Sequence, residues 1–239
     1  MIKKLKNIEY ISFNGCAWYL FYYMGAISAL FELDPQIYKR VKIYCCSGGA
    51  MVAPILLFNL DVKAIFNQWK KIVKEKHEKE YIFSKIYIKK NCIDIFNKFY
   101  KKYIDLNILN KKMNISVSKV YFNMIFPFIH IKNKLIYKFK NKNELLYRIF
   151  QSSYIPLILG YTLLLDSHID GGISNNKYLD KINNIKFLNF GLDSTSKILN
   201  YCDICFKNDI SLNKYLTPSV DFLDTLYNSG YNDTIKYFT

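Results

Sequence analysis

The sequence predicts an α/β protein: a mostly parallel central sheet with helices on both faces, in a three-layer α/β/α arrangement. Strand-like and helix-like stretches alternate along the chain, as strand–helix–strand units require. The run at residues 41–44 is β-branched and aromatic, the composition of a strand buried inside a sheet. At 239 residues, 51% of them hydrophobic, the chain is long enough for one substantial core. It shows no internal repeat or linker, so one domain over residues 1–239 is expected.

Residues 8–13 (IEYISF) read as the first strand and Asn14-Gly15-Cys16-Ala17 as the turn after it. Residues 19–33 form an apolar helix that Asp34-Pro35 stops. The strand at 41 follows, then a Ser47-Gly48-Gly49 turn, then small and apolar residues suited to a buried helix. Pro54 predicts a kink there. Residues 43–60 carry no charge and reach the length of a membrane span, but the paired glycines, the proline and the strand-like beginning favour strand–turn–helix.

Residues 61–80 and 91–103 predict lysine-studded amphipathic helices, with Val62, Ile65, Phe66 and Trp69 at three- and four-residue steps. Residues 115–122, 128–131 and 135–139 are strand-like, the last two as a hairpin around Lys132-Asn133-Lys134. Residues 143–151 predict a helix capped by Asn143. Residues 161–169 predict a strand delivering Asp170-Gly171-Gly172, and residues 185–190 a further strand. Residues 223–238 predict a closing helix, interrupted by Gly230.

The formal charge of +15 points to anionic partners. Only Arg40 and Arg148 are arginines, whereas specific nucleic-acid recognition favours the arginine fork, so no such partner is expected. Lysines of residues 61–112 and of the tail suit anionic lipid head groups, each contributing about 1 kcal/mol near the surface. They serve equally to solubilise a chain rich in Tyr and Phe. Residues 1–12 lack the apolar core of a secretory leader, which predicts a reducing, cytoplasmic setting with free thiols. Cys202 and Cys205 have C-x-x-C spacing but no second pair or nearby histidine, so buried thiols are expected there and a metal site is not.

Three stretches converge on chemistry. A serine on a tight strand-to-helix turn is held clear of its neighbours, and Ser47 is so placed, although the frame Cys45-Cys46-Ser47-Gly48-Gly49 lacks the first glycine of G-x-S-x-G. Backbone N–H groups of the Asn14–Ala17 turn are placed to receive an oxyanion. Asp170 ends a later strand, and strand ends of such a sheet converge on one edge. A Ser–His–Asp triad would need His77, His130 or His168. His77 sits in a charged helix and His130 within a strand, which leaves His168, two residues from Asp170. The simpler arrangement is a Ser47–Asp170 dyad, with the carboxylate taking the proton directly.

Together these pieces resemble the patatin-like phospholipase family, in particular its animal branch. ISFNGCAWYLFYYMGAISAL (11–30) resembles the family's opening strand, oxyanion loop and first helix, agreeing at Ser12, Phe13, Gly15, Cys16, Tyr22, Gly25, Ser28 and Leu30. YCCSGGAMVA resembles its nucleophile elbow, and QSSYIP, ending at Pro156, its Ser-x-x-x-Pro segment. HIDGGISNN is similar to its Asp-Gly-Gly motif at Asp170, Gly171, Gly172 and Asn176, and residues 229–234 resemble its closing helix. The resemblance implies acyl hydrolysis or transfer on lipid acyl esters, with Ser47 as nucleophile, Asp170 as base and Gly15, Cys16 and Ala17 as oxyanion hole. It implies no metal and no organic cofactor, and peripheral contact with an anionic membrane or a lipid droplet.

The chain departs from the family at Cys45, Ala17 and Leu20, where glycines are usual, and at Tyr178, where proline is. A side chain costs about 1–2 kcal/mol wherever φ must be positive, and Cys45 is expected to crowd the elbow. Two functions therefore stand open: a serine acyl hydrolase, and a protein of the same fold that binds lipid or a partner without turnover.

Overall fold

The computed structural model describes residues 5–78, 85–122, 129–156, 162–174, 186–192, 202–206 and 218–239. Among them β1 (Tyr10–Phe13), β2 (Lys42–Cys45), β3 (Met113–Phe122), β4 (Ile129–Ile136), β5 (His168–Ile169), β6 (Phe187–Leu192) and β7 (Ile204–Phe206) form one mixed sheet. Its order is β4-β3-β2-β1-β6-β7, with β5 attached to β3. The β3-β2-β1-β6-β7 portion is parallel throughout, while β4 and β5 run antiparallel to β3. The α/β class with a mostly parallel sheet is thus present. Ile11, Phe13 and Ile43 are fully buried, as strands inside a covered parallel sheet must be.

Besides a 3-10 turn at Ala17–Tyr19 and a one-turn helix at Ile37–Arg40, the helices among the described residues are α1 (Leu20–Leu33), α2 (Gly48–Leu57), α3 (Val62–Glu78), α4 (Lys85–Ile95), α5 (Leu106–Lys112), α6 (Lys142–Ser152), α7 (Gly171–Ser174) and α8 (Val220–Phe238). The apolar stripe of α3 (Val62, Ile65, Phe66, Trp69) is buried as its spacing predicts. α1 is apolar nearly all round and crosses α8 at two glycines. A Cβ on Gly25 would strike the Tyr227 carbonyl, and one on Gly230 the Tyr22 carbonyl. Gly230 therefore does not interrupt α8. It lets two backbones touch, and Tyr22 Oη donates to Asp233 (2.8 Å) beside the crossing.

Other expectations shift. β4 is one strand, not a hairpin around Lys132-Asn133-Lys134. Those residues pair with Lys119, Ser118 and Val117, and an edge strand tolerates polar side chains on its open side. The cap of α6 is Asn141, whose Oδ1 accepts the Glu144 N–H at 2.8 Å, not Asn143. Within 161–169 only His168–Ile169 is strand. The chain before it turns through Asp166 and Ser167 at φ 48° and 64°, and Tyr161 lies outside the described residues. α4 ends in a π-helical turn at Phe96–Tyr100. α2 continues through Pro54, and no helix among the described residues is long and apolar enough to cross a membrane.

Candidate active site

β2 ends at Cys45, and two residues later Ser47 adopts φ 51°, ψ −129°, a conformation that L-residues rarely hold outside functional turns. Beyond Ser47 the backbone winds directly into α2, so the two glycines sit where α2 meets β1. A Cβ at Gly48 would lie 2.7 Å from the Ala17 carbonyl and 2.8 Å from Cys16 Sγ, and one at Gly49 would strike the Phe13 carbonyl. Ser47 is buried and lines a cavity of about 70 Å³ with Ala17, Trp18, Met51, Trp69 and Ser153. A second apolar cavity of about 30 Å³ shares the Leu20, Met51, Trp69 and Cys92 walls and reaches Phe96 and Tyr100.

Asp170 reaches the same point from the opposite direction. β2 pairs with β3 up to Ile115, and β5, running the other way along the same strand, stops at Ser118. The strand ends face each other across Ser116–Val117, and Ser47 and Asp170 follow them. Gly171 lies so close to the Ser116 carbonyl that no Cβ fits. Asp170 Oδ1 accepts the Gly172 N–H at 2.8 Å, and its main-chain carbonyl accepts Ser118 Oγ at 2.6 Å. Oδ2 is buried without a hydrogen-bond partner. Burial pushes the Asp170 carboxyl up to about 6, against a smaller lowering by the nearby Ser47 hydroxyl and the Gly172 N–H.

The Asn14–Ala17 turn completes the edge. Tyr23 Oη donates to the Asn14 carbonyl at 3.2 Å, and the Asn14 N–H bonds to the Phe190 carbonyl, which ties the turn to α1 and β6. Ala17 holds φ 47°, so the strain foreseen for a missing glycine falls there. Leu20 carries no positive φ, and neither does Cys45. Its buried thiol points at the Asn114 carbonyl, 3.4 Å away. Gly15 directs its N–H at the Cys46 sulfur. Burial first, and then the Asp170 charge, pushes the Cys46 thiol up; burial does the same to Cys16. Both stay neutral and put no negative charge beside the turn.

Supports that sequence reasoning passed over are hydroxyls. Ser152 Oγ accepts the Ser47 N–H (2.9 Å) and donates to the Ser116 carbonyl (2.6 Å). Ser116 and Ser118 hold α7 through the Gly171 and Asp170 carbonyls. Their signal was the polar i, i+2 pair on a buried strand. His168 is engaged elsewhere: Nδ1 lies 2.6 Å from the Asp166 carbonyl and 3.0 Å from Gln151 Nε2, and burial lowers its pKa. His130 is exposed on β4; Asn176, Tyr178 and the His77 side chain lie outside the described residues.

Cys202 and Cys205 are not free thiols. They form a disulfide, the C-x-x-C turn having brought their Cα atoms to 5.7 Å, within bridging distance. Among the described residues no group of three His, Cys, Asp or Glu side chains is placed to hold a metal.

The geometry defines a mixed α/β protein whose strained serine elbow meets a buried carboxylate. No family model matches the chain. It is 26% identical over 181 residues to human patatin-like phospholipase domain-containing protein 2, covering 73% of this chain and 34% of that protein. Mouse 1-acylglycerol-3-phosphate O-acyltransferase Pnpla3 is 24% identical over 172 residues, covering 70% of this chain and 40% of that one. The chain thus spans well under half the length of these curated relatives. Among solved structures, VipD from Legionella pneumophila matches over 97% of this chain and 66% of that one, with a TM-score of 0.48 and 13% identity. In sequence the chain resembles the animal patatin-like phospholipases.

Proposed function

We propose that the chain is a lipid acyl-ester hydrolase working through a Ser47–Asp170 dyad. The observation that carries this reading is the convergence of a serine at φ 51° and a buried carboxyl raised to about 6 on the facing ends of β2 and β5. Ser47 Oγ attacks the acyl carbonyl carbon while Asp170 Oδ2, otherwise unpartnered, takes the hydroxyl proton. The tetrahedral oxyanion lies against backbone N–H groups of Cys16 and Ala17 and the start of α2, with Gly15 holding the turn through Cys46. Asp170 passes its proton to the departing alcohol oxygen. Water then attacks the acyl-enzyme by the same route and releases the carboxylic acid.

The acyl chain lies along Met51 and Trp69, in the cavity that opens beside Ser47. The scheme uses no metal or organic cofactor. A lipid substrate brings the chain, as a peripheral protein, to an anionic membrane or a lipid droplet. Binding without turnover is favoured by one observation, the strained Ala17 in the oxyanion turn.

Hydrolysis of fluorogenic acyl esters and phospholipids by the parent, Ser47→Ala and Asp170→Asn decides the matter. Activity lost in both variants, each still folded, supports the dyad. A folded parent that turns over no ester and takes no covalent serine probe overturns it in favour of binding alone.

A further inference from the structure

The β3–β4 ribbon runs on past β2 and, with β5 flanking β3 only at Ser118 and Lys119, past β5 as well. β2 leaves β3 at Ile115, yet β3 continues to Phe122 with β4 beside it. At the last described pair of the ribbon Phe122 and Ile129 are register partners, 66% and 61% exposed, and Ile131 and Tyr121 are exposed as well. Strand side chains alternate, so Phe122, Ile129 and Ile131 share a face. On that face, nearer the sheet, Ser118 and Asn133 meet Ser174 of α7.

The opposite face is basic. Lys119 and Lys132 stand directly across from each other, with their Nζ atoms 4.9 and 5.7 Å from the centre of the Tyr121 ring. On its other side Lys119 is level with His168, and Lys134 lies one step along the same face. Like charges set opposite on a sheet repel.

We propose that the end of this ribbon is a docking surface for an anionic lipid bilayer. Phe122, Ile129 and Ile131 enter the acyl boundary, Tyr121 sits at head-group level, and Lys119, Lys132 and Lys134 meet the lipid phosphates. The distance along β3 from Phe122 back to Lys119 is about 10 Å, so the apolar residues and the lysines meet lipid at different levels. The Ser47–Asp170 meeting point, level with Val117, is about 17 Å behind Phe122, so docking turns the active edge of the sheet toward the lipid. A second copy pairing along β4 would set Lys132 and Lys134 against further lysines, whereas anionic lipid neutralises them. The lysines of α3 accompany apolar residues that are already buried and offer nothing to insert.

The purpose of such docking rests on the hydrolase reading, but its test does not. The assay is co-sedimentation of the Ser47→Ala chain with vesicles of phosphatidylcholine containing phosphatidylserine, which measures binding with chemistry removed. Lys119→Glu/Lys132→Glu is expected to weaken binding by at least about thirtyfold. Phe122→Ser/Ile129→Ser is also expected to weaken it, and Lys63→Glu/Lys71→Glu on α3 to leave it near the parent's. In Phe122→Trp, brominated lipid should add quenching beyond the parent's own. Ribbon variants that keep native circular dichroism and bind like the parent overturn the proposal. So does a parent that ignores anionic vesicles, a Phe122→Trp variant quenched no more than the parent, or a dimer that the ribbon variants abolish in place of vesicle binding.

Discussion

The Ser47 N–H donates to Ser152 Oγ, and that same hydroxyl donates to the Ser116 carbonyl, so α6 bridges the elbow to β3 through one side chain. All three residues are buried. Ser152→Ala leaves a buried donor and a buried acceptor unpaired. Unfolding free energy is expected to fall by about 1–3 kcal/mol in urea titrations, with Ser152→Thr retaining more of it. Ester turnover should drop with Ser152→Ala even at temperatures where the variant is fully folded.

Asp170 carries opposite demands of stability and chemistry. Its carboxyl is raised from 3.8 to about 6, so the folded state holds a proton that the unfolded chain releases near pH 4. Stability from this group is present below pH 4 and is lost as pH rises through about 6, a change of about 3 kcal/mol. Asp170→Asn should therefore raise the melting temperature at pH 8 and change it little at pH 4. On the proposed dyad, activity of the parent should rise with pH through about 6, because only an ionised Asp170 would accept the Ser47 proton.

Two of the glycine-to-side-chain departures should respond with opposite signs. Ala17 holds φ 47°, so Ala17→Gly relieves strain and is expected to stabilise by about 0.5–1 kcal/mol. Cys45 is buried at an ordinary strand conformation, so Cys45→Gly removes packing and is expected to destabilise by about 1–2 kcal/mol. Equal effects from the two, measured by denaturant unfolding, would refute this account of the elbow.

Gly230→Ala forces a methyl group into the Tyr22 carbonyl, where neither backbone can yield easily. A loss of about 3 kcal/mol is expected, beyond any gain in helix propensity. A melting temperature at or above the parent's would show that α1 and α8 do not cross so closely.

Much of the site was legible because its signals are local. Gly48, Gly49 and Gly171 stand where a backbone approaches, and the elbow and Asp-Gly-Gly motifs can be read within a few residues. What stayed hidden depends on partners far away. His168–Ile169 is strand only because β3 offers it an edge, and no pattern in 161–169 separates those two residues from the turn before them. β4 reads as broken at Lys132-Asn133-Lys134 because an edge strand with one open side does not need apolar alternation. The need for φ > 0 at 17 and not at 45 follows from how the turn packs on Gly48, which residue identity alone does not reveal.

The crossing of α1 and α8 also orders events in time. α1 begins where the Asn14–Ala17 turn ends, and Tyr23 on α1 pins that turn, yet the groove that seats α1 is closed by a helix synthesised about ten seconds or more later. Until α8 emerges from the ribosome, Gly25 and the face of α1 around it have no backbone to rest on. Without α8, the face of α1 around Gly25 is uncovered, so α1 and the turn that Tyr23 pins should settle only once α8 has docked.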